Sequence, residues 1–275
     1  SGHPSGANAR WRTLHELAVV SYFIKDRGQE VAERYLLHHI VESATSANDY
    51  QDYCARLGYE PLSAEEMAAL EADKAALCRR FGPEYRHHYG WAAKALGSPR
   101  PTFKQIEAAV SLQHWRPYYG MASHSVHAKP KGIAFDLGNM FPSELMLAGP
   151  SNSGLADPGQ SALISLFQIT TILLGLKPDV REIMAMRTIQ HFVGEAERAF
   201  VEAQRQLDDE ERAARELHDS PEMTAEELAA LQSRWGEAPH GAPHDENGYA
   251  MAHAPADIRR LLAEVMRRRE SAGDS

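Results

Sequence analysis

Apolar residues recur at three- and four-residue spacing along most of the first 217 positions, and this pattern predicts helices. Ala7 to Lys25 reads as the first, with Leu14, Leu17, Ala18 and Ile24 recurring before the Asp26-Arg27-Gly28 break. Gln29 to Leu57 reads as a second, carrying Val31, Tyr35, Leu36, Ile40 and Val41 on one side, with Gly58 placed to cap it. Ser63 and Glu66 have capping-box spacing and open a third helix that runs to about Phe81. Gly82-Pro83 starts another, Thr102 caps one from Phe103 to about Leu112, and Trp115 to Ala128 forms the next, with Pro117 in its first turn. Glycines and prolines then punctuate 129–154. Asp157-Pro158 opens a helix to Leu174 that is apolar nearly all round, as expected at the centre of a bundle. Pro178 starts a last long helix reaching about Leu217.

The pattern changes beyond Asp219. Short helices are expected over 224–235 and 258–269, joined by a Pro-, Gly- and His-rich linker. The predicted fold class is therefore all-α: a multi-helix bundle over 1–217 with irregular loop segments, and a C-terminal helical extension over 218–275. The chain starts at Ser1 and enters an amphipathic pattern almost at once, so helical sequence upstream is expected.

Composition narrows the function classes. A net charge of −9 excludes a generally basic nucleic-acid surface but leaves room for a local basic cleft. Cys54 and Cys78 make neither a disulfide framework nor a zinc knuckle, which fits a reducing, cytoplasmic compartment. The most apolar stretch, Ala162 to Leu176, is shorter than the roughly 20 residues that span a bilayer. No membrane partner is expected.

Candidate chemistry concentrates between Gln113 and Ala128. Tyr119 and Ser123 are one helical turn apart, and His124 and His127 share a face. Trp11-Arg12-Thr-Leu-His15-Glu16 forms a second cluster, Glu33-Arg34-Tyr-Leu-Leu-His38-His39 a third, and Glu84-Tyr-Arg86-His87-His88-Tyr89 a fourth. Buried polar groups need partners, so these clusters are candidates to meet inside the bundle. Three readings stay open. Imidazole and guanidinium could move a proton and hold a phosphate, as in RNA cleavage. His124, His127 and Glu16 or His15 could ligate a metal, although the His-Glu-x-x-His pattern is absent. Or the same groups tie helices together. Gly149-Pro-Ser-Asn-Ser-Gly154 reads more readily as a rigid turn than as an anion nest, and Lys129 and Lys131 as loop residues.

Four segments carry a resemblance: Trp11 to Glu16, Glu33 to Tyr35, Tyr119 to His127, and Leu147 to Gly159. Together they resemble the bacterial family catalogued as domain of unknown function 5677, over about Ser1 to Leu174. That resemblance implies helical sequence ahead of Ser1 and no particular activity. A weaker similarity is to the helical HEPN ribonucleases, which carry Arg-x(4–6)-His on a helix, usually at a dimer interface. Several relatives have arginine where this chain has Gly120. The similarity implies a metal-independent, cofactor-free RNA endonuclease of toxin or phage-defence type and a homo-oligomer. His127 would be the acid or base and Arg116 the phosphate-holding group, with Ser123 and His124 in support. Arg12, His15, Glu16, Arg34 and Tyr119 would support them. A metal-dependent hydrolase and a non-enzymatic interaction module are the alternatives.

Overall fold

The structure is a computed structural model that describes residues 3–127 and 154–218. All regular structure among the described residues is helical, as the apolar spacing predicts. The chain divides into two compact units, Ser1–Phe200 and Val201–Ser275. The expected helices over 224–235 and 258–269, the turn ahead of Gly154, and Lys129 and Lys131 lie outside the described residues.

In the first unit, α1 (Pro4–Arg27) is the central element. Its buried side chains Trp11, His15, Ala18, Val19 and Phe23 fall at the spacing of one helical stripe. The helix ends at Gly28, whose φ of 81° is costly for a residue with a Cβ and whose N–H donates to the Ile24 carbonyl. α2 (Gln29–Leu57) follows and buries Val31, Arg34, His38, Val41, Ala44, Ala47 and Cys54. α3 (Ala64–Phe81) packs on α2, and its Ser63–Glu66 capping box is formed in both directions. α1 packs against α2, α5 (Phe103–Ala109), α6 (Arg116–Val126) and, most extensively, α7 (Ala156–Leu174). α4 (Ala93–Leu96) is a single turn in the corner between α3 and α5. α8 (Val180–His218) starts under a reciprocal cap. The Asp179 carboxylate accepts from the Arg181 and Glu182 amides, and the Asp179 amide donates to Glu182.

Four expectations differ from the structure, each for a local reason. The helix expected after Gly82 is a single 3-10 turn, Pro83–Arg86. The carbonyls of Tyr85, His87, Gly90 and Trp91 accept from Arg34 and His38, and those of His87 and Gly90 also take the turn amides of Gly90 and Ala93. α5 stops at Ala109, and Ser111 nearby adopts a left-handed φ of 59°. α7 starts at Ala156, so Asp157 lies inside its first turn and does not cap it. α7 is also not the centre of the bundle: α1 holds that place, and Leu166 and Leu173 are 49% and 65% exposed.

The core joins Val19 and Phe23 of α1, Val31 and Val41 of α2, Tyr85, Trp91 and Ala92 of the corner, and Phe103, Ile106 and Leu112. Edge-on contacts from Phe23 and Tyr35 to Trp91, at 5.7 and 5.0 Å, fix the indole. No helix among the described residues is long and apolar enough to cross a membrane.

Candidate functional site

The four polar clusters meet as two knots. The first and largest joins α1, α5 and α6. The apolar stripe of α1 carries His15 inward, where its side chain is 1% exposed and its Nε2 lies 2.9 Å from Glu107 Oε1. Glu107 is fully buried, and its other oxygen forms an ion pair with the Arg116 guanidinium. A carboxylate only accepts, so His15 donates from Nε2. Burial pushes the His15 imidazole below its ordinary pKa, and the bond to Glu107 opposes this. The neutral imidazole is therefore the form present at pH 7. Removing Arg116 would leave the Glu107 charge buried and uncompensated, a loss of about 3–5 kcal/mol.

Tyr119 covers this layer. Its ring lies 5.9 Å from His15 and 5.3 Å from Phe103. The guanidinium carbons of Arg12 and Arg116 sit 4.9 and 5.1 Å from its centroid, within cation–π range. Its hydroxyl donates to Glu16 Oε1. Burial, then the Glu16 carboxylate, raise the phenol to about 12.

The outer layer reaches solvent. Arg12 pairs with Glu16 at 3.1 Å, one turn along α1, and its Nη1 lies 3.1 Å from Nε2 of the exposed His127. A guanidinium has only donors, so His127 Nε2 is the acceptor and the ring hydrogen sits on Nδ1. Burial tends to lower the Arg12 pKa, but Tyr119 and Glu16 outweigh it and the net shift is upward. His127 caps α6 and is held in place by its own N–H donating to the Ser123 carbonyl.

The structure therefore brings together Arg12, His15, Glu16, Arg116, Tyr119 and His127. It places Arg12 at His127 and Arg116 at Glu107. Ser123 is buried, and its hydroxyl donates 2.7 Å to the Tyr119 carbonyl. His124 turns a buried Nδ1 with no hydrogen-bond partner into the protein. Among the described residues, no three His, Cys, Asp or Glu side chains are grouped so that they could hold a metal ion.

Arg34 belongs to the second knot. It is 2% exposed and donates to the carbonyls of Trp91, Phe81 and Gly90 at 3.0, 3.2 and 3.3 Å. The Phe81 carbonyl ends α3, so the guanidinium also meets the negative end of that helix. Tyr85 donates to the Arg34 carbonyl, and the His38 imidazole donates toward the carbonyls of Tyr85 and His87. These bonds tie α2 to the corner. They leave Arg34 outside the first knot.

Glu107 was not singled out from the sequence, yet it anchors the first knot. Its signal was there: Phe103, Ile106 and Glu107 share one face of α5, which puts a carboxylate at a core position.

A family model described as "Family of unknown function (DUF5677)" matches residues 1–141 of the 275. Every residue of the first knot lies inside that span. No curated protein and no solved structure matches the chain.

Proposed function

The chain belongs to the DUF5677 family of unknown function, and on that footing we propose that it is a HEPN-like RNA endonuclease with Arg12 and His127 as its reacting pair. The observation that carries this reading is the 3.1 Å contact between Arg12 Nη1 and His127 Nε2. HEPN-type ribonucleases supply arginine and histidine from one helix. Here Gly120 leaves that arginine out, and α1 offers one at the same histidine.

In the resting contact Nε2 of His127 accepts from Arg12, so the nitrogen that faces the guanidinium is the one a general base would use. An incoming phosphodiester competes for Arg12. When the guanidinium turns to the phosphate oxygens, Nε2 is released to accept the proton of the ribose 2′-hydroxyl. That oxygen attacks phosphorus, the bond to the 5′-oxygen breaks, the departing oxygen takes a proton from solvent while His127 returns its own to solvent, and a 2′,3′-cyclic phosphate and a free 5′-hydroxyl result. Arg12 stabilises the charge that builds on the phosphoryl oxygens. Glu16 and Tyr119 hold Arg12, and Arg116 adds positive charge behind them. The nucleophile comes from the substrate, which fits a site whose own groups are one base and one cation.

The inner layer favours a second reading for itself. His15, Glu107 and the buried end of Arg116 are closed off and paired with one another. They act as a scaffold for the outer pair and meet the substrate at no point. The same proposal expects a cytoplasmic homo-oligomer of toxin or phage-defence kind.

The test is incubation of purified chain with single-stranded RNA in the presence of EDTA. Cleavage to cyclic-phosphate ends is expected, with His127→Ala and Arg12→Ala each at least about 100-fold slower, the lower range for lost acid–base catalysis. An inert wild-type protein, or a fully active His127→Ala, refutes the reading.

A further inference from the structure

Outside the first knot the surface carries two adjoining clefts. One, of 370 Å³, lies between the end of α3 and α4 and is lined by Arg34, Glu84 and Lys94 among others. The second, of 360 Å³, is lined by Glu84, Arg86, His87 and Arg100. Glu84, Ser98 and Pro99 line both, so the two form one groove. Four cations, Arg34, Arg86, Lys94 and Arg100, face one carboxylate, Glu84, on a chain whose net charge is −9.

The charges are not equally free. Lys94 is matched by Glu30 at 2.6 Å. Arg34, at the groove floor, spends its hydrogen-bonding on carbonyls and forms no ion pair with a carboxylate among the described residues. Arg86 and Arg100 are exposed and form no ion pair among the described residues either. A buried guanidinium in one cleft and two unmatched surface arginines in the adjoining one make a local positive potential that an anion can satisfy.

From this charge pattern we propose that the groove carries the phosphodiester backbone of single-stranded RNA, with Arg86 and Arg100 as its phosphate contacts. This rests on the RNA reading above. A backbone track needs no base-specific contacts, and unpaired arginines along an open groove supply what it does need.

The experiment measures binding of a labelled 20-nucleotide single-stranded RNA to the full chain across a series of salt concentrations. A His127→Ala background keeps the probe intact. Each phosphate contact to a single strand contributes about 0.7 to the slope of log affinity against log salt. Arg86→Ala/Arg100→Ala should therefore flatten the slope by roughly 1.4 and weaken binding about tenfold or more at low salt. Arg56→Ala, an exposed cation at the end of α2, should change neither. An unchanged affinity and slope in the double variant overturns the proposal, as does a parent that binds no RNA. The two readings separate cleanly. A wild type that cleaves, with a double variant that binds normally, removes the groove alone. A double variant that loses binding, with a wild type that never cleaves, removes the ribonuclease alone.

Discussion

His15 is an imidazole closed off from solvent beside a buried carboxylate. Burial holds its folded pKa below the ordinary value of about 6.5, so the unfolded chain binds the proton first as pH falls. Stability should therefore be full above pH 7.5, decline as pH drops through 6.5, and level off below the folded pKa. Melting temperatures across pH 5 to 8 check this. His15→Asn should give a flatter profile, and an equal slope in both proteins would remove His15 as the cause. Much of this site could be read from the sequence by type: Arg12, Glu16, Tyr119 and His127 all stand in clusters of functional side chains. Their pairing could not, because it depends on which turn of α1 faces which turn of α6. Glu107 carried only the signal of its place on the apolar face of α5. One acid on a short helix looks like surface until His15 and Arg116 are known to converge on it.

At the scale of elements, the bounds of α2 and the end of α3 follow from punctuation. Gly28, Gly58 and Gly82 stop or start a helix by backbone geometry, and the Ser63–Glu66 box starts α3 by side-chain capping of its first amides. The corner after α3 was illegible because long-range bonds from Arg34 and His38 outcompete local helix formation there. Two glycines test this distinction. A Cβ on Gly90 would collide with the carbonyls of Glu84 and Tyr85, so the corner closes only around glycine. Gly90→Ala should lose about 1–3 kcal/mol as an overpacked site. Gly120, inside α6, has nothing within 4 Å of an added Cβ. Gly120→Ala should gain about 0.5–1 kcal/mol through helix propensity. Urea unfolding of both proteins decides it, and equal effects of one sign would contradict the account.

Across the whole molecule, all-α architecture was legible because helical spacing runs through nearly every described segment. The arrangement was less so. α7 has the most apolar composition, yet α1 is the helix the others surround. Hydrophobicity marks a helix as packed without saying against what. The consequence for function is that α1 delivers Arg12 to His127 at the end of α6 and Glu16 to Tyr119 in its first turns, on a helix whose Gly120 offers no side chain. The proposed cleavage requires Arg12 and His127 to work as one unit. A double-mutant cycle on RNA cleavage reads this most directly, comparing kcat/KM for wild type, Arg12→Ala, His127→Ala and the double variant. Groups that act together lose their effect together, so the double variant should be no slower than about the slower single variant. Losses that multiply across the cycle would show two independent residues and contradict the pair.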